Sequence, residues 1–161
     1  MGTYSIEIQD IEKMRRTFQA APERSARMYS AGLKIAANEI YRIMKEEVPV
    51  GKGLGATKKG NLKRSIVKNV QGLEAIIGPN LQQAPYAIFV HEGTRAHVIT
   101  PRFKKALFWK GALHPVKKVN HPGTAANPFV QRTAKRAEPI VNDIFRRQTE
   151  LLVEMLARNT A

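Results

Sequence analysis

An apolar stripe with helical spacing in the first third of the chain is the feature that most limits its fold. Its members recur at steps of three and four residues and are Tyr29, Leu33, Ala36, Ile40 and Met44. That spacing places them on one face of an α-helix. Val48-Pro49 ends the pattern, because a residue before proline is pushed toward extended conformations. The sequence therefore predicts a long N-terminal helix over residues 22–47, with Pro22 in its first turn.

Small residues, Ala31, Gly32, Ala36 and Ala37, lie within the same helix. They let another element approach the helix closely. That element is either a partner in the core or a neighbouring subunit, and the core interpretation is favoured.

A second apolar stripe begins after Asn127-Pro128, where asparagine caps a helix and proline takes its first position. The stripe follows Val130, Ala134, Ala137, Val141, Ile144, Leu151 or Leu152, and Met155. Pro139 lies inside this helix and costs about 3 kcal/mol in a regular interior. We therefore expect a kink or break there. We expect the distal piece, with Phe145, to pack on a sheet or on a neighbouring subunit.

Short elements are predicted before and between the two helices. The period-two pattern of residues 4–8 indicates a strand, and Asp10 caps a short helix. Residues 62–70 and 73–77 form two strands joined at Gln71-Gly72, and the sheet breaks at residues 78–80. Residues 84–91 fit a helix or a strand, because short apolar runs are ambiguous. Residues 98–99, 106–109 and 116–119 are plausible strands, and Pro122-Gly123 forms a turn.

Length and composition fit one folded domain over residues 1–161. The chain has 161 residues, of which 43% are hydrophobic, which is enough to bury a core. No apolar run approaches the roughly 18 residues of a membrane span, and the N-terminus lacks the regions of a signal peptide. We therefore expect no membrane partner.

Positive charge is concentrated in the middle of the chain. The net charge is +14, and residues 51–120 hold thirteen Lys and Arg against Glu74 and Glu92, a net +11. The remaining residues carry only +3. A local excess of this size can attract DNA phosphates or an acidic protein surface, although a solubilising surface is the plainer interpretation.

No pattern in the sequence supports catalysis, a cofactor or a metal site. The chain has no cysteine, which excludes disulfides, thiolate metal ligands and a cysteine nucleophile. The four histidines, His91, His97, His114 and His121, lack the spacing of helical zinc ligands. The basic loop at residues 51–60 lacks the phosphate-binding pattern that ends in Gly-Lys-Ser/Thr. We therefore predict that the protein is not an enzyme.

Two separated motifs carry a family resemblance. One runs Pro85-Tyr86-Ala87-Ile88-Phe89-Val90-His91-Glu92-Gly93-Thr94 and closes at Asn127-Pro128-Phe129-Val130. The other is Val48-Pro49-Val50-Gly51 followed by Gly60-Asn61-Leu62-Lys63-Arg64-Ser65-Ile66. In this order they resemble the small neck and tail-completion proteins that join head to tail in long-tailed bacteriophages and prophages.

The resemblance implies a fold and a function. The fold would be α+β, with a long N-terminal helix packed on a small, mainly antiparallel sheet and a flanking C-terminal helix. The protein would be a structural virion component of the neck that is assembled in the host cytoplasm. It would form a homo-oligomeric ring, with six copies expected, around the DNA channel. Its partners would be a head-side connector protein and a tail terminator or tail tube protein. In the same family context residues 84–91 are expected to form a short helix that ends at Gly93, which can take the left-handed cap conformation. Glu92, Gly93, Thr94, Pro122 and Gly123 are expected to shape turns.

Two segments depart from the family pattern. A Gly/Lys insertion at residues 51–60 separates Pro49 from Asn61, and the basic excursion over residues 95–121 is long. We expect both to project toward partners or DNA. The predicted contact residues are Lys52, Lys58, Lys59, Lys63, Arg64, Arg102, Lys104, Lys105, Lys117 and Lys118.

The alternative function is a non-enzymatic, sequence-independent DNA-binding module. Phe103, Phe108 and Trp109 lie among the basic residues of the excursion, a combination that can neutralise phosphates and stack bases. Each aromatic side chain can equally belong to a core, and the alternation of Phe108 and Trp109 places one of these two inside.

Overall fold

The computed structural model describes residues 22–51, 60–109 and 112–158. The predicted strand at residues 4–8, the helix from Asp10 and the residues from 52 to 59 lie outside this part. The described elements confirm an α+β protein. In chain order they are α1 (Pro22–Glu47), α2 (Asn61–Ser65), β1 (Ile66–Gln71), β2 (Glu74–Pro79), α3 (Ala87–Glu92), β3 (His97–Ile99), β4 (Val119–His121) and α4 (Phe129–Arg158).

The chain divides into two compact units. The first comprises Met1–Glu47, Ile66–Gly78 and Phe129–Ala161, and is called the helical unit below. The second comprises Val48–Ser65 and Pro79–Pro128, and is called the arm unit. That residues 1–161 form a single domain stays a prediction.

The core of the helical unit lies between α1 and α4. Ala36, Ile43, Ala137, Val141 and Phe145 are almost fully buried there, and the Phe145 ring lies 5.2 Å from that of Tyr29. Gly32 allows the close approach predicted from the small residues. A Cβ added at Gly32 would lie 3.0 Å from Cγ of Gln148. Gly32 and Ala36 therefore face this core and Ala37 is also buried, whereas Ala31 is exposed.

The apolar stripe of α4 differs from the predicted one. Its buried positions are Phe129, Thr133, Ala137, Val141, Phe145, Thr149 and Leu152. The two threonines fit because each hydroxyl donates to the carbonyl four residues earlier, to Phe129 at 2.7 Å and to Phe145 at 2.9 Å. These bonds satisfy the hydroxyls within the helix itself. Phe145 is accordingly a core residue of the helical unit.

Of the kink or break predicted at Pro139, the break is wrong. Helix α4 continues from Phe129 to Arg158 with Pro139 inside it. The proline is exposed, so water can hydrate the carbonyl that loses its helical partner, while buried Ala137 and Val141 hold the helix on either side. Packing across the neighbouring turns offsets the cost of proline.

The end of α1 is joined to the start of α4 by ion pairs within the helical unit. Arg132 Nε lies 2.8 Å from Glu47 Oε2, and Arg136 Nη2 lies 2.9 Å from Glu46 Oε2. The hydrogen bond from Arg132 lowers the pKa of Glu47, with a further contribution from Arg136. The hydrogen bond from Arg136 likewise lowers the pKa of Glu46.

The β1–β2 hairpin confirms the predicted strands with shifted ends. Ile66 is buried and Val67 is 46% exposed, so the two lie on opposite faces of β1. Gly72 takes a φ of 57° in the connecting turn. The sheet ends within residues 78–80 as predicted, since β2 includes Gly78 and stops at Pro79. A strand end in a two-stranded sheet tolerates proline, which lacks only a donor.

The predicted strand start at residue 62 is wrong, since Asn61–Ser65 is the short helix α2. The N–H of Arg64 donates to Gly60 O at 3.0 Å, and Ser65 Oγ donates to Leu62 O at 2.8 Å. Leu62 and Ser65 are both buried, three residues apart on one face. These local bonds favour a helical turn over an extended strand.

Candidate interaction surface: a basic aromatic arm

The segment after α3 leaves the compact part of the arm unit as a two-stranded antiparallel arm. Thr94 and Thr124 form its base, with N–H···O bonds of 2.9 and 3.0 Å in the two directions. Beyond this bridge β3 pairs with β4, joining His97 to His121, Val98 to Asn120 and Ile99 to Val119. The pairing register is the same from the Thr94–Thr124 bridge to Ile99. The excursion predicted over residues 95–121 is therefore closed at its base.

Two glycines make the base of the arm possible. Gly93 has a φ of 75° and Gly123 a φ of 93°. A Cβ at Gly93 would lie 2.4 Å from Thr124 O, and one at Gly123 would lie 2.3 Å from Thr94 O. Each glycine therefore lies directly against the backbone oxygen of the threonine in the opposite turn. Gly93 has an extended ψ of −175°, so it ends α3 without the left-handed helical geometry expected for it.

Three of the residues expected to shape turns, Gly93, Thr94 and Gly123, meet at this base. Glu92 is the last residue of α3 and Pro122 follows β4, and both are exposed.

Two histidines stack across the strands next to the base. The rings of His97 and His121 are 5.0 Å apart at an interplanar angle of 29°. The N–H of Gly123 donates to Nδ1 of His121 at 3.0 Å, so the proton of neutral His121 lies on Nε2. Nδ1 of His97 lies 2.8 Å from Arg95 O and therefore donates to that carbonyl. These bonds fix both rings and tie them to the turn at Gly123.

The distal part of the arm is irregular. Leu107 and Val116 form a single bridge, with bonds of 2.8 and 3.0 Å. Seven residues separate Ile99 from Leu107, while two separate Val116 from Val119, so the first strand bulges outward. The strands predicted at residues 106–109 and 116–119 are thus reduced to this bridge and to β4. The unequal lengths prevent a continuous ladder.

The outer part of the arm exposes large apolar side chains. Phe103 is 92% exposed and Leu113 98%, and Phe108 and Trp109 are 66% and 50% exposed. The expectation that Phe108 or Trp109 belongs to the core is wrong, because both keep half or more of their surface exposed and no described element of the arm unit covers them. We call Phe103, Phe108, Trp109 and Leu113 the arm tip. Clustered exposed hydrophobic side chains are typical of interaction sites.

Predicted contact residues surround the arm tip. Arg102, Lys104, Lys105, Lys117 and Lys118 are exposed on the arm. The Arg102 guanidinium lies 5.5 Å from the Phe103 ring centre, in cation–π range. Lys63 and Arg64 are exposed on α2 of the same unit, whereas Lys52, Lys58 and Lys59 lie outside the described residues. Most of the predicted set therefore belongs to one compact unit.

The charge asymmetry of the sequence follows the two units. The ranges of the arm unit hold twelve Lys and Arg and one acidic residue, Glu92, a net charge of +11. The ranges of the helical unit hold fifteen basic and twelve acidic residues, a net charge of +3. The arm unit is thus the electropositive part of the protein.

An open groove without charged residues lies beside the base of the arm, within the arm unit, and both apolar and polar side chains line it. Its volume is about 960 Å³, and its walls include Leu62, Tyr86, Phe89, Val90 and Thr94. Hydrogen bonds hold these segments together, from Asn61 Nδ2 to Gln83 O at 3.1 Å and from Asn127 N to Val90 O at 3.0 Å. Tyr86 and Phe89 are 41% and 60% exposed on its walls. Thr94 Oγ1 is buried and finds no hydrogen-bond partner among the described residues. Sequence reasoning missed this groove, since its walls come from four separate segments.

Within the described residues, no group of three or more acidic, histidine or cysteine side chains could hold a metal ion. The described helices include none that is long and apolar enough to cross a membrane.

Residues 12–93, just over half of the 161 residues, match one family model, described as "Bacteriophage HK97-gp10, putative tail-component". This chain belongs to the HK97-gp10-like family. The family is one of structural phage tail components, which places the protein in the virion. The matched residues include α1, the β1–β2 hairpin and α3, and they end at Gly93. The arm and α4 lie beyond the match. No curated protein and no solved structure matches the chain.

Proposed function

We propose that this HK97-gp10-like protein is a structural neck component that joins the head connector to the tail. It forms a homo-oligomeric ring around the DNA channel. The observation that carries the proposal is the difference between its two units in charge and in exposed side chains. The helical unit is nearly balanced in charge and has a closed core, while the arm unit concentrates positive charge and exposed aromatic side chains.

The two units have different roles in this proposal because their surface chemistry differs. The helical unit supplies rigid packing through its paired helices. The arm presents its cations to a head-side connector, a tail terminator or tail tube protein, or DNA in the channel. Complementary charge steers such partners together and fixes their orientation. A ring of six copies would repeat the arm around the axis.

The proposal gives the protein no catalytic role. The described residues offer a docking surface, and the family is one of structural tail components.

Electron microscopy of particles that carry an affinity-labelled copy of the protein tests the proposal. The label is expected in a ring at the head–tail junction. Label along the tail tube, or particles without the protein, would overturn the neck assignment. An unlabelled particle preparation treated with the same affinity reagent controls for background binding.

Sequence-independent DNA binding remains the second candidate, and the exposure of Phe103 beside Arg102 favours it. Binding of short duplex and single-stranded DNA is measured against salt. A DNA-binding arm predicts affinity that falls steeply with salt and falls again in Phe103→Ala, whereas the neck proposal requires neither result.

A further inference from the structure

The arm tip and the groove belong to the same unit, and neither covers the other. The tip side chains keep half or more of their surface exposed, and Tyr86 and Phe89 are exposed on the groove wall. An apolar projection and an uncharged cavity on the same chain can satisfy each other between copies. We propose that the arm tip of one protomer docks in the groove of the next. This inference rests on the ring proposed above and supplies the contact that closes it.

The groove suits an aromatic side chain better than a charged ligand. None of the described residues that line it carries a charge, so it has no group to fix a phosphate or a carboxylate. At about 960 Å³ it is near the upper end of the ~300–1,000 Å³ typical of ligand pockets, which leaves room for more than one ring. An unsatisfied buried hydroxyl such as Thr94 Oγ1 is unfavourable until an occupant supplies a hydrogen bond.

The single tryptophan of the chain provides such a group. Trp109 lies at the arm tip, and its indole combines a large apolar surface with one N–H donor. Docked in the groove, the ring would contact Tyr86 and Phe89 while the N–H reaches toward Thr94 Oγ1. The lysines beside the tip would stay at the rim, in water.

The contact is directional because the tip and the groove are different surfaces. Such a heterologous contact generates a ring when its rotation closes. The tip can bury on the order of 500 Å² per copy, given about 150–250 Å² for a fully buried aromatic side chain. A standard interface buries about 800 Å² per partner. A single arm contact is therefore weak. In a closed ring each copy makes two such contacts, which makes the assembled ring long-lived.

The absence of cysteine from the chain allows a direct test. Leu113→Cys marks the arm tip and Phe89→Cys marks the groove, at positions that are 98% and 60% exposed. Particles carrying the L113C/F89C double variant are oxidised mildly and run on a denaturing gel without reductant. We expect a ladder of disulfide-linked multimers that ends at the ring number. The matched control is L113C with Ile76→Cys, which is 62% exposed on the hairpin of the helical unit, and we expect no ladder from it.

The outcomes separate this inference from the proposed function. A protein found at the junction without a ladder would overturn the arm–groove contact and leave the neck role standing. Absence of the protein from the junction would overturn the neck role itself. Products that stop at dimers would show a closed exchange of arms and overturn the ring-forming geometry. A cross-link from L113C to another virion protein would assign the arm tip to that partner.

Tryptophan fluorescence gives a second measurement on the protein with its native arm. Assembly should shift the Trp109 emission to shorter wavelength as the ring leaves water, and the shift should be smaller in Phe89→Ala. Emission that stays at the position of the monomer in assembled rings would overturn the contact.

Discussion

Gly93 and Gly123 occupy positions where a side chain has no room. Both take positive φ, and the nearest backbone oxygen would lie within 2.4 Å of an added Cβ in each case. Positive φ alone costs a non-glycine residue about 1–2 kcal/mol. The clash adds to that cost, because the atoms in the way are backbone atoms of the opposing turn and cannot rotate aside.

Gly93→Ala should therefore destabilise the arm unit by more than about 2 kcal/mol. Gly72→Ala is the matched control, since Gly72 has a φ of 57° but nothing within 4 Å of its added Cβ. Gly72→Ala should lower the free energy of unfolding only by the cost of positive φ, about 1–2 kcal/mol. Urea unfolding followed by fluorescence of Trp109 and by far-UV circular dichroism measures both. Equal midpoints for the two variants would contradict the steric argument.

Truncating a buried side chain of α4 should lower the free energy of unfolding much more than truncating an exposed one. Phe145 is 1% exposed in the core of the helical unit, whereas Leu151 is 53% exposed on the same helix. Phe145→Ala should cost about 3–5 kcal/mol. Leu151→Ala should stay within about 0.5 kcal/mol. Thermal unfolding followed by circular dichroism tests the pair, and a mild effect of Phe145→Ala would place the ring outside the core.

At the scale of elements, α1 and α4 are joined by packing and by the Glu47–Arg132–Arg136 ion pairs. The side chain of Glu47 is only 15% exposed, so solvent screens its pairs less than those at the open surface. Arg132 also donates to the backbone oxygen of Glu47 at 3.0 Å. The network therefore fixes the last turn of α1 against the first turns of α4.

This network makes stability depend on pH in a definite direction. Arg132 and Arg136 lower the pKa of Glu47 in the folded protein. The stabilisation is thus fully present above the unfolded pKa and is lost as the pH falls through the lowered folded pKa. Glu47→Gln should reduce the urea midpoint at neutral pH, and the difference from wild type should shrink in acid.

Glu154→Gln, at an exposed carboxylate of α4, is the control and should leave the midpoint unchanged. A wild-type advantage of constant size down to strongly acidic pH would show that the charge of Glu47 is not its source.

At the scale of the whole molecule, the two units carry very different charge. The arm unit has a net charge of +11 with Glu92 as its one acidic residue. Exposed charges on opposing surfaces attract within about 10 Å at 0.1 M salt and are screened beyond that. Steering by the arm unit should accordingly weaken as ionic strength rises.

Under the proposed neck function, neutralising the arm should weaken joining of heads to tails. The variant Lys104→Gln, Lys105→Gln, Lys117→Gln is expected to join more slowly at low salt and to show a flatter salt dependence. The control Arg24→Gln, Arg27→Gln, Lys34→Gln removes the same charge from exposed positions of α1. Joining is followed as infectious particles formed from separated heads and tails. Equal effects of the two variants would show that net charge alone matters.

Elements defined by neighbouring residues could be predicted from the sequence. The stripe from Tyr29 to Met44 and the Val48-Pro49 pair predicted α1 with its observed bounds. The apolar run before Gly93, read with the family resemblance, predicted α3. In each case the signal lies within a few residues, because helical periodicity and proline act locally. The family resemblance rested on such local motifs, and the α+β class was what that resemblance implied.

Features that depend on distant residues were decided only by the tertiary structure. Helix α4 passes through Pro139 because packing on α1 outweighs the local preference to break. The register of His97 with His121, the exposure of both Phe108 and Trp109, and the groove lined by Tyr86 and Phe89 join segments far apart in sequence. Which side chains become buried is set by the element that covers them, and periodicity carries no information about that partner. The sequence by itself therefore determined α1, the hairpin and the family, and the tertiary structure decided α2, the course of α4 through Pro139, the arm and its candidate docking groove.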